Sequence, residues 1–321
     1  MKKYPWLQSQ INKWQQLICH NKAPHAILIS GAKGLAKIEL ANGMAHIALC
    51  EELSDSGVCN TCKGCLLFNA GNHTDLTRIA AEKSVIKVDQ IRKLSSDVTL
   101  TSTRNHYKVI IIENAEQMNA ASANALLKTL EEPPPKVIII LTTNDITYLL
   151  ATIKSRCFKL NINVPLQQEA VDWLGKETTN SASQIDLALS LANGIPVFAK
   201  TILDNNLDEV VKQMLMDLEN LKSQQKNILE ISKNWMTDNK FDNLMLVAFY
   251  FMGLLKHRNS ICLNHAFKDF SHVNFNNSKD LDVKLLTFVR HIYTFMNQKE
   301  KALKTELLLE ELLMDFKNKF Q

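Results

Sequence analysis

The sequence of 321 residues has little glycine, little proline, no long hydrophobic run and little net charge. Its 9 Gly and 7 Pro do not fit collagen, a disordered low-complexity chain or a turn-rich β-sandwich, and they favour a helix-rich protein. The longest charge-free apolar run covers 12 residues from Leu244 to Leu255, whereas a membrane-spanning helix needs about 20. These absences predict a protein with no membrane contact.

Two further absences concern the location of the protein and its possible binding of nucleic acid. Residues 1–8 lack the apolar stretch and the cleavage site of a signal peptide, so we expect a cytoplasmic protein. The net charge of +4 is too small to indicate nucleic-acid binding by itself. Apolar residues make up 46% and charged residues 22% of the chain, which is enough to build the cores of two or three domains.

The first 160 residues alternate strand-like and helix-like segments. The strand-like segments are short, β-branched and continuously apolar, as is typical of parallel strands buried on both faces: residues 26–29, 108–112 and 137–141. An Ala- and Leu-rich helix is predicted over residues 120–132, between Asn119 as N-cap and Pro133. This order predicts a doubly wound α/β domain. Beyond residue 160 the pattern is helical, with a small unit over 165–200 and long amphipathic helices after about 206, including 207–229 and 302–316.

A degraded phosphate-binding loop follows the first strand. Gly31, Gly34 and Lys37 fit the P-loop pattern, in which backbone amides and a lysine bind phosphate. Ala36 replaces the last glycine of the pattern, and Ile38 replaces the hydroxyl residue that binds Mg²⁺. An ordinary strand-to-helix loop is the alternative interpretation.

The end of the 108–112 strand carries a second degraded motif. Glu113 stands where P-loop ATPases place a Mg²⁺-binding acid, and Asn114 stands where some of them place a glutamate that polarises the attacking water. An amide cannot usefully accept a proton. We therefore infer a P-loop fold that does not hydrolyse ATP, while weak nucleotide binding through Lys37 stays open.

Four of the seven cysteines form the pattern C-x₈-C-x₂-C-x₂-C. In a chain expected to be cytoplasmic, such clustering favours a metal site over disulfides. Four thiolates fill the tetrahedral shell of Zn²⁺, so the site would be structural, with Gly57 and Gly64 providing tight turns. Unrelated buried thiols are the alternative. The candidate ligands are Cys50, Cys59, Cys62 and Cys65, and the isolated Cys19, Cys157 and Cys262 are interpreted as packing residues.

The segment Asn124–Pro134, Asn-Ala-Leu-Leu-Lys-Thr-Leu-Glu-Glu-Pro-Pro, resembles the hallmark helix of bacterial clamp-loader subunits, which belong to the AAA+ class. Its two glutamates lie at the unfavourable end of the helix dipole, which indicates partners outside the helix; a solvated acidic end is the alternative. Phe198 replaces the arginine of the family's sensor-2 segment. Further similar segments are Tyr4–Leu7, His73–Leu76, Val88–Arg92, Thr142–Thr143, Ser155–Cys157 and Asn193–Ala199.

The resemblance implies three domains. These are an AAA+-like α/β domain over 1–163 with a Cys₄ zinc module at 50–65, a small helical lid over 164–205 and a helical collar over 206–321. It also implies a five-subunit ring in which gamma/tau and delta subunits are the partners, and in which ATP on gamma/tau drives loading of a sliding clamp onto primed DNA. Thr143 falls at the family's sensor-1 position, and the chain's own nucleotide residues, Glu113 and Thr143 included, are expected to be vestigial.

Arg156 carries the sharpest functional expectation. In the Ser155–Cys157 segment it corresponds to the family's arginine finger, which would act in trans on ATP held by a neighbouring gamma/tau subunit. The alternative is a structural arginine paired with a carboxylate.

Two other functions stay open at this point. One is an active AAA+ ATPase with an atypical P-loop, which Ile38, Asn114 and Phe198 disfavour. The other is a zinc-containing DNA-binding protein. The modest excess of 19 Lys/Arg over 13 Asp/Glu in residues 1–160 and the lack of a helix-turn-helix pattern disfavour it.

Overall fold

The computed structural model describes residues 4–98, 107–237, 240–259, 280–298 and 305–320. The chain divides into two compact units, residues 1–164 and 165–321. The three-domain division at 163/164 and 205/206 stays a prediction.

The first unit contains a parallel sheet of five strands in the order β2-β3-β4-β1-β5. The strands are β1 (Ala26–Ser30), β2 (Leu76–Ile79), β3 (Lys108–Ile112), β4 (Val137–Thr143) and β5 (Phe158–Asn161). The helices are α1 (Gln8–Cys19), α2 (Lys37–Leu49), α3 (Lys63–Asn69), α4 (Val88–Val98), α5 (Ala120–Glu131) and α6 (Ala151–Arg156). The predicted doubly wound α/β layout is confirmed for this unit.

The three predicted strands are the three central strands of this sheet. Every residue of β1, β3 and β4 is buried, because helices cover the faces of the sheet and each of these strands has a neighbouring strand on both sides. The sequence analysis did not find β2 and β5, which form the two edges of the sheet. Both contain polar residues among the apolar ones and are partly exposed, so neither contains the continuous apolar run that identifies a central strand.

Helix α5 confirms the predicted helix almost to the residue. It begins after Asn119, whose side-chain Oδ1 accepts a hydrogen bond of 2.9 Å from the Ser122 backbone N–H. It ends at Glu131, two residues before Pro133. The start of α4 at Val88 also agrees with the similarity noted for Val88–Arg92.

The second unit is helical throughout its described residues. Its helices are α7 (Gln167–Glu177), α8 (Ala182–Leu191), α9 (Pro196–Asp204), α10 (Leu207–Lys222), α11 (Ile228–Thr237), α12 (Leu244–Arg258), α13 (Leu281–Gln298) and α14 (Thr305–Phe320). Aromatic rings join the last three, with centroid distances of 5.7 Å between Phe251 and Phe288 and 5.0 Å between Phe288 and Phe316.

The single helix predicted over 207–229 is wrong. The helix ends at Lys222, and a new one begins at Ile228. Asn227 starts the second helix, since its Oδ1 accepts a hydrogen bond of 2.7 Å from the Glu230 backbone N–H. Buried Asp217 holds the connection by accepting hydrogen bonds from Lys226 Nζ and Trp235 Nε1.

In the described parts of the chain, no single helix is long and apolar enough to cross a membrane. One pair, α8 and α9, meets the length and composition criteria only when taken together, and it bends by 117° at its break.

Candidate functional site

The P-loop connects β1 to α2 at the carboxyl edge of the sheet, where open α/β folds bind their ligands. Gly31 is required there, because a Cβ atom on it would lie 2.6 Å from the Ile162 carbonyl oxygen. Ala36 takes the place of the last P-loop glycine and keeps the left-handed backbone of a glycine, with φ 59° and ψ 38°. That conformation costs an L-residue about 1–2 kcal/mol, so the loop preserves a backbone shape that its own sequence opposes.

Lys37 lies at the first position of α2 and is only 5% exposed. Its Nζ donates hydrogen bonds of 2.7 Å to the Ala32 carbonyl oxygen and 2.8 Å to Asn144 Oδ1. Burial lowers the pKa of Lys37 to about 8, against the opposing effect of the nearby Glu116 and Glu39 carboxylates. The lysine that a working P-loop would offer to phosphate is therefore buried and bound to its own chain.

Asn144 extends this arrangement into a polar network. Its Nδ2 donates 2.9 Å to Asn114 Oδ1 and 2.8 Å to Glu116 Oε1, which also accepts from the Asn144 backbone N–H at 3.1 Å. Asn114 has a left-handed backbone with φ 49°, and its N–H donates 3.0 Å to Thr142 Oγ1. The position of the catalytic base, Asn114, is thus connected to Lys37 through Asn144. Oε2 of Glu116 is buried and has no hydrogen-bond partner within the described ranges.

The structure connects some of the predicted nucleotide residues by hydrogen bonds and leaves Thr143 out of that network. It joins Lys37 to Asn114 through Asn144, but the Thr143 hydroxyl donates 3.0 Å to the Asp145 carbonyl oxygen instead. Sequence reasoning named Thr143 and missed Asn144 and Glu116. Asn144 could have been found, since it directly follows β4, the neighbour of β1, and the carboxyl ends of adjacent parallel strands meet at one edge.

The four clustered cysteines converge at the other end of α2. Their Sγ atoms all lie within 4.8 Å of one another, with 3.7 Å between Cys50 and Cys59 and 3.9 Å between Cys59 and Cys65. Tetrahedral zinc with Zn–S bonds of about 2.3 Å requires sulfur separations of about 3.8 Å. The four thiols are therefore close enough to bind one metal ion.

Backbone N–H groups point at three of these sulfurs. Cys62 Sγ accepts from Glu51 at 3.4 Å and from Cys65 at 3.3 Å, Cys59 Sγ accepts from Cys62 at 3.3 Å, and Cys50 Sγ accepts from Cys59 at 3.5 Å. Such donors stabilise thiolates, and bonds from Cys62 and Thr61 lower the pKa of Cys59 to about 6. Burial raises the pKa of Cys50 and Cys65. A metal ion, which requires deprotonated sulfurs, fits this donor set.

The structure tests the expectations for one glycine of the cluster and for two of the isolated cysteines. Gly64 does not form a tight turn: it lies in α3, where a Cβ would approach the Leu49 carbonyl oxygen to 2.4 Å. Cys157 is a packing residue, as expected, buried in the core of the first unit. Cys19 is exposed, so its interpretation as a packing residue is wrong. Cys262 lies outside the described residues.

Arg156 ends α6 and makes contacts within its own chain. Its Nη2 lies 2.7 Å from Glu131 Oε1 in an ion pair, and its Nη1 donates 2.9 Å to the Thr152 carbonyl oxygen. The side chains of Arg156 and Glu131 are 35% and 49% exposed. Glu131 thus has a partner outside its helix, as the clamp-loader-like segment indicated. The single chain contains the ion pair of the alternative interpretation, and the role as an arginine finger stays a prediction.

Comparison with known proteins adds to this geometry. Residues 6–165 match the model of a family described as DNA polymerase III, delta subunit. A curated DNA polymerase III subunit delta′ from Pseudomonas aeruginosa is 33% identical over 235 residues, which cover 72% of this chain and 71% of that protein. Another, from Buchnera aphidicola subsp. Acyrthosiphon pisum, is 28% identical over 327 residues, covering 98% of this chain and 97% of that protein.

A solved structure is similar over nearly the whole chain. The crystal structure of a DNA polymerase III gamma subunit-related protein from Thermotoga maritima covers 97% of this chain and 100% of its own, with a TM-score of 0.51 and 21% identity. This likeness shows the fold, a parallel α/β part followed by a helical part.

Proposed function

Because the chain belongs to the family of DNA polymerase III delta′ subunits, we propose that it is the non-hydrolysing subunit of a clamp-loader complex. Its partners are gamma/tau and delta, and the complex loads a sliding clamp onto primed DNA in the cytoplasm. The chain itself is no ATPase. It supplies Arg156 to ATP held by a neighbouring gamma/tau subunit.

The hydrogen bonds of Lys37 within its own chain are the main support for the proposal that this chain does not hydrolyse ATP. A P-loop lysine acts by donating to the β- and γ-phosphates, whereas Lys37 is 5% exposed and donates to Ala32 and Asn144. Ile38 offers no hydroxyl to Mg²⁺, and the Asn114 amide offers no base to water. An active ATPase would need all three functions restored.

The position of Arg156 supports its role in trans. It is the last residue of a short helix, its side chain is 35% exposed, and its planar guanidinium carries five N–H donors. Arginine fingers supplied by a neighbour accelerate phosphoryl transfer by about 10³–10⁵ at their own site. Only one ATP site of the ring borders this subunit, so the loss on removing Arg156 is partial in the whole complex.

Zinc is the metal that best fits the cysteine cluster. Cys50, Cys59, Cys62 and Cys65 supply four soft ligands with the spacing of a closed tetrahedral site, which leaves no position for a reacting water. The ion would have a structural role and join the loop over 50–62 to α3. The module is anchored on α1 as well, where Gln15 Nε2 donates to the Ser54 and Asp55 carbonyl oxygens at 2.7 and 3.0 Å.

The test compares two substitutions of cations in the reconstituted complex. Arg156→Ala lowers the clamp- and DNA-stimulated ATPase rate, and Arg156→Lys restores little of it, because a point charge does not replace the planar fork. Lys37→Ala leaves the rate of the assembled complex nearly unchanged. All three variants are first checked for assembly with gamma/tau and delta.

Opposite results identify the other candidates. Full activity with Arg156→Ala contradicts the finger, and loss of activity with Lys37→Ala in an intact complex favours an active, atypical ATPase. Equilibrium titration of the isolated chain with ATP provides the independent check, since tight binding or turnover contradicts the non-hydrolysing role.

A further inference from the structure

We infer that Glu131 is the resting partner of Arg156: its carboxylate holds the guanidinium in the isolated subunit and gives it up when Arg156 binds a γ-phosphate on the neighbouring subunit. This inference rests on the proposed function of Arg156. It assigns a role to the first glutamate of the Glu-Glu-Pro-Pro segment, which the proposed function leaves unused.

The geometry brings together the last residues of two helices. Glu131 ends α5 and Arg156 ends α6, and Nη2 of the arginine lies 2.7 Å from Oε1 of the glutamate. Nη1 donates to the Thr152 carbonyl oxygen at 2.9 Å and approaches Ser155 Oγ at 3.4 Å. Both terminal nitrogens of the guanidinium therefore already have acceptors in this chain.

An arginine binds phosphate in the bidentate manner through Nη1 and Nη2 or through Nε and Nη2, so Nη2 takes part in both arrangements. A phosphate cannot share Nη2 with a carboxylate at 2.7 Å without strong repulsion between the two anions. Binding of Arg156 to a γ-phosphate is thus an exchange of one anionic acceptor for another. ADP has no γ-phosphate, so with ADP on the neighbour the ion pair to Glu131 persists.

Exposure limits how strongly the pair can hold. The two side chains are 35% and 49% exposed, and ion pairs accessible to water are worth little, about a 1.4- to 5-fold change in an equilibrium constant. Glu131 also lies at the C-terminal end of its helix, where the dipole disfavours a negative charge. The contact is therefore strong enough to orient Arg156 and weak enough for a phosphate to displace it.

Glu132 offers a matched control on the same segment. It is the next residue, it is exposed, and it takes part in no ion pair among the residues that the structure describes. Glu131→Gln and Glu132→Gln remove the same charge at nearly the same place, but only the first removes the acceptor of Arg156.

The experiment measures how tightly the full chain binds gamma/tau carrying either a non-hydrolysable ATP analogue or ADP. We expect Glu131→Gln to tighten binding to the ATP-analogue form about two- to fivefold and to leave binding to the ADP form unchanged. Glu132→Gln changes neither, and Arg156→Ala/Glu131→Gln behaves as Arg156→Ala alone. A purely structural ion pair would change both nucleotide forms alike.

The outcomes separate this inference from the proposed function. If Arg156→Ala weakens binding to the ATP-analogue form but Glu131→Gln leaves it unchanged or weaker, Glu131 is not a competitor and the inference is overturned. If Arg156→Ala has no effect on either form, the trans role itself is wrong and the inference falls with it. Thermal unfolding of each isolated variant establishes that it is folded.

Discussion

Helix α2 begins in the P-loop at Lys37 and ends at Leu49, directly before Cys50. The polar groups at its two ends differ in the partners that they find within the chain. At the first end, Asn144 binds both Lys37 and Asn114, so these polar groups have hydrogen-bond partners within the chain. At the second end, four thiols converge to within 4.8 Å. Backbone N–H groups donate to their sulfurs, but these neutral donors do not neutralise the charge of several thiolates. The two ends thus differ in whether their polar groups find partners inside the chain, and the proposed zinc site is the end where they do not.

The largest expected effect lies at the cysteine end. Cys62→Ser, or removal of metal with a strong chelator, should lower the free energy of unfolding of the first unit by about 3 kcal/mol or more, because thiolate–metal binding energy is folding energy. Chemical denaturation and elemental analysis for one zinc per chain measure this. Cys19→Ser, at the exposed and isolated cysteine, is the matched control and should change stability little.

The proposed difference between the two ends of α2 is contradicted if the purified protein holds no zinc while all four thiols react freely with a thiol reagent. The cluster would then be a set of unrelated thiols, and the second end of α2 would hold no metal.

The next prediction concerns the dependence of stability on pH that the burial of Lys37 causes. The pKa of Lys37 is about 8 in the folded state, below its usual value of 10.5, so between these values the unfolded state binds more protons. The stability of the wild type relative to Lys37→Met should therefore rise from pH 8 to pH 10.5, by about 1–3 kcal/mol. Denaturation curves of both proteins across this range measure it.

Wild type and Lys37→Met share all other titratable groups, so the contributions of these groups cancel in the difference between the two free energies of unfolding. A constant or falling difference over the window would mean that the ammonium of Lys37 is well solvated, and hence free to meet a phosphate.

The smallest effect concerns the loop backbone. Ala36→Gly should raise the free energy of unfolding by about 0.5–1 kcal/mol, because relief of the left-handed strain outweighs the greater freedom of glycine in the unfolded chain. Ala120→Gly, at the exposed first position of α5, should have the opposite sign. Equal destabilisation by both would contradict the strained backbone at Ala36.

Local patterns in the sequence were enough for much of the fold and part of the site. The β-branched runs identified β1, β3 and β4, and Asn119 with Pro133 bounded α5, because burial on two faces and helix capping depend on neighbouring residues. The spacing of Cys50, Cys59, Cys62 and Cys65 predicted their convergence, since short loops bring such thiols together whatever the rest of the fold.

Those local patterns could not predict contacts between segments that are distant in the sequence. The edge strands β2 and β5, which have no continuous apolar run, pair with β3 and β1, and these partners are far away in the sequence. Sequence motifs named Thr143 for the nucleotide site, but the turn after β4 directs Asn144 to Lys37, which is 107 residues away.

The sequence by itself determined which side chains are missing from the nucleotide motifs: no hydroxyl residue follows Lys37, and an amide follows Glu113. Only the tertiary structure decided where the remaining charges go. It buried Lys37 against Asn144 and paired Arg156 with Glu131 at an exposed helix end. The physical reason is that the availability of a charge depends on burial and on the nearest opposite partner, and folding sets both by bringing together residues that are far apart in the chain.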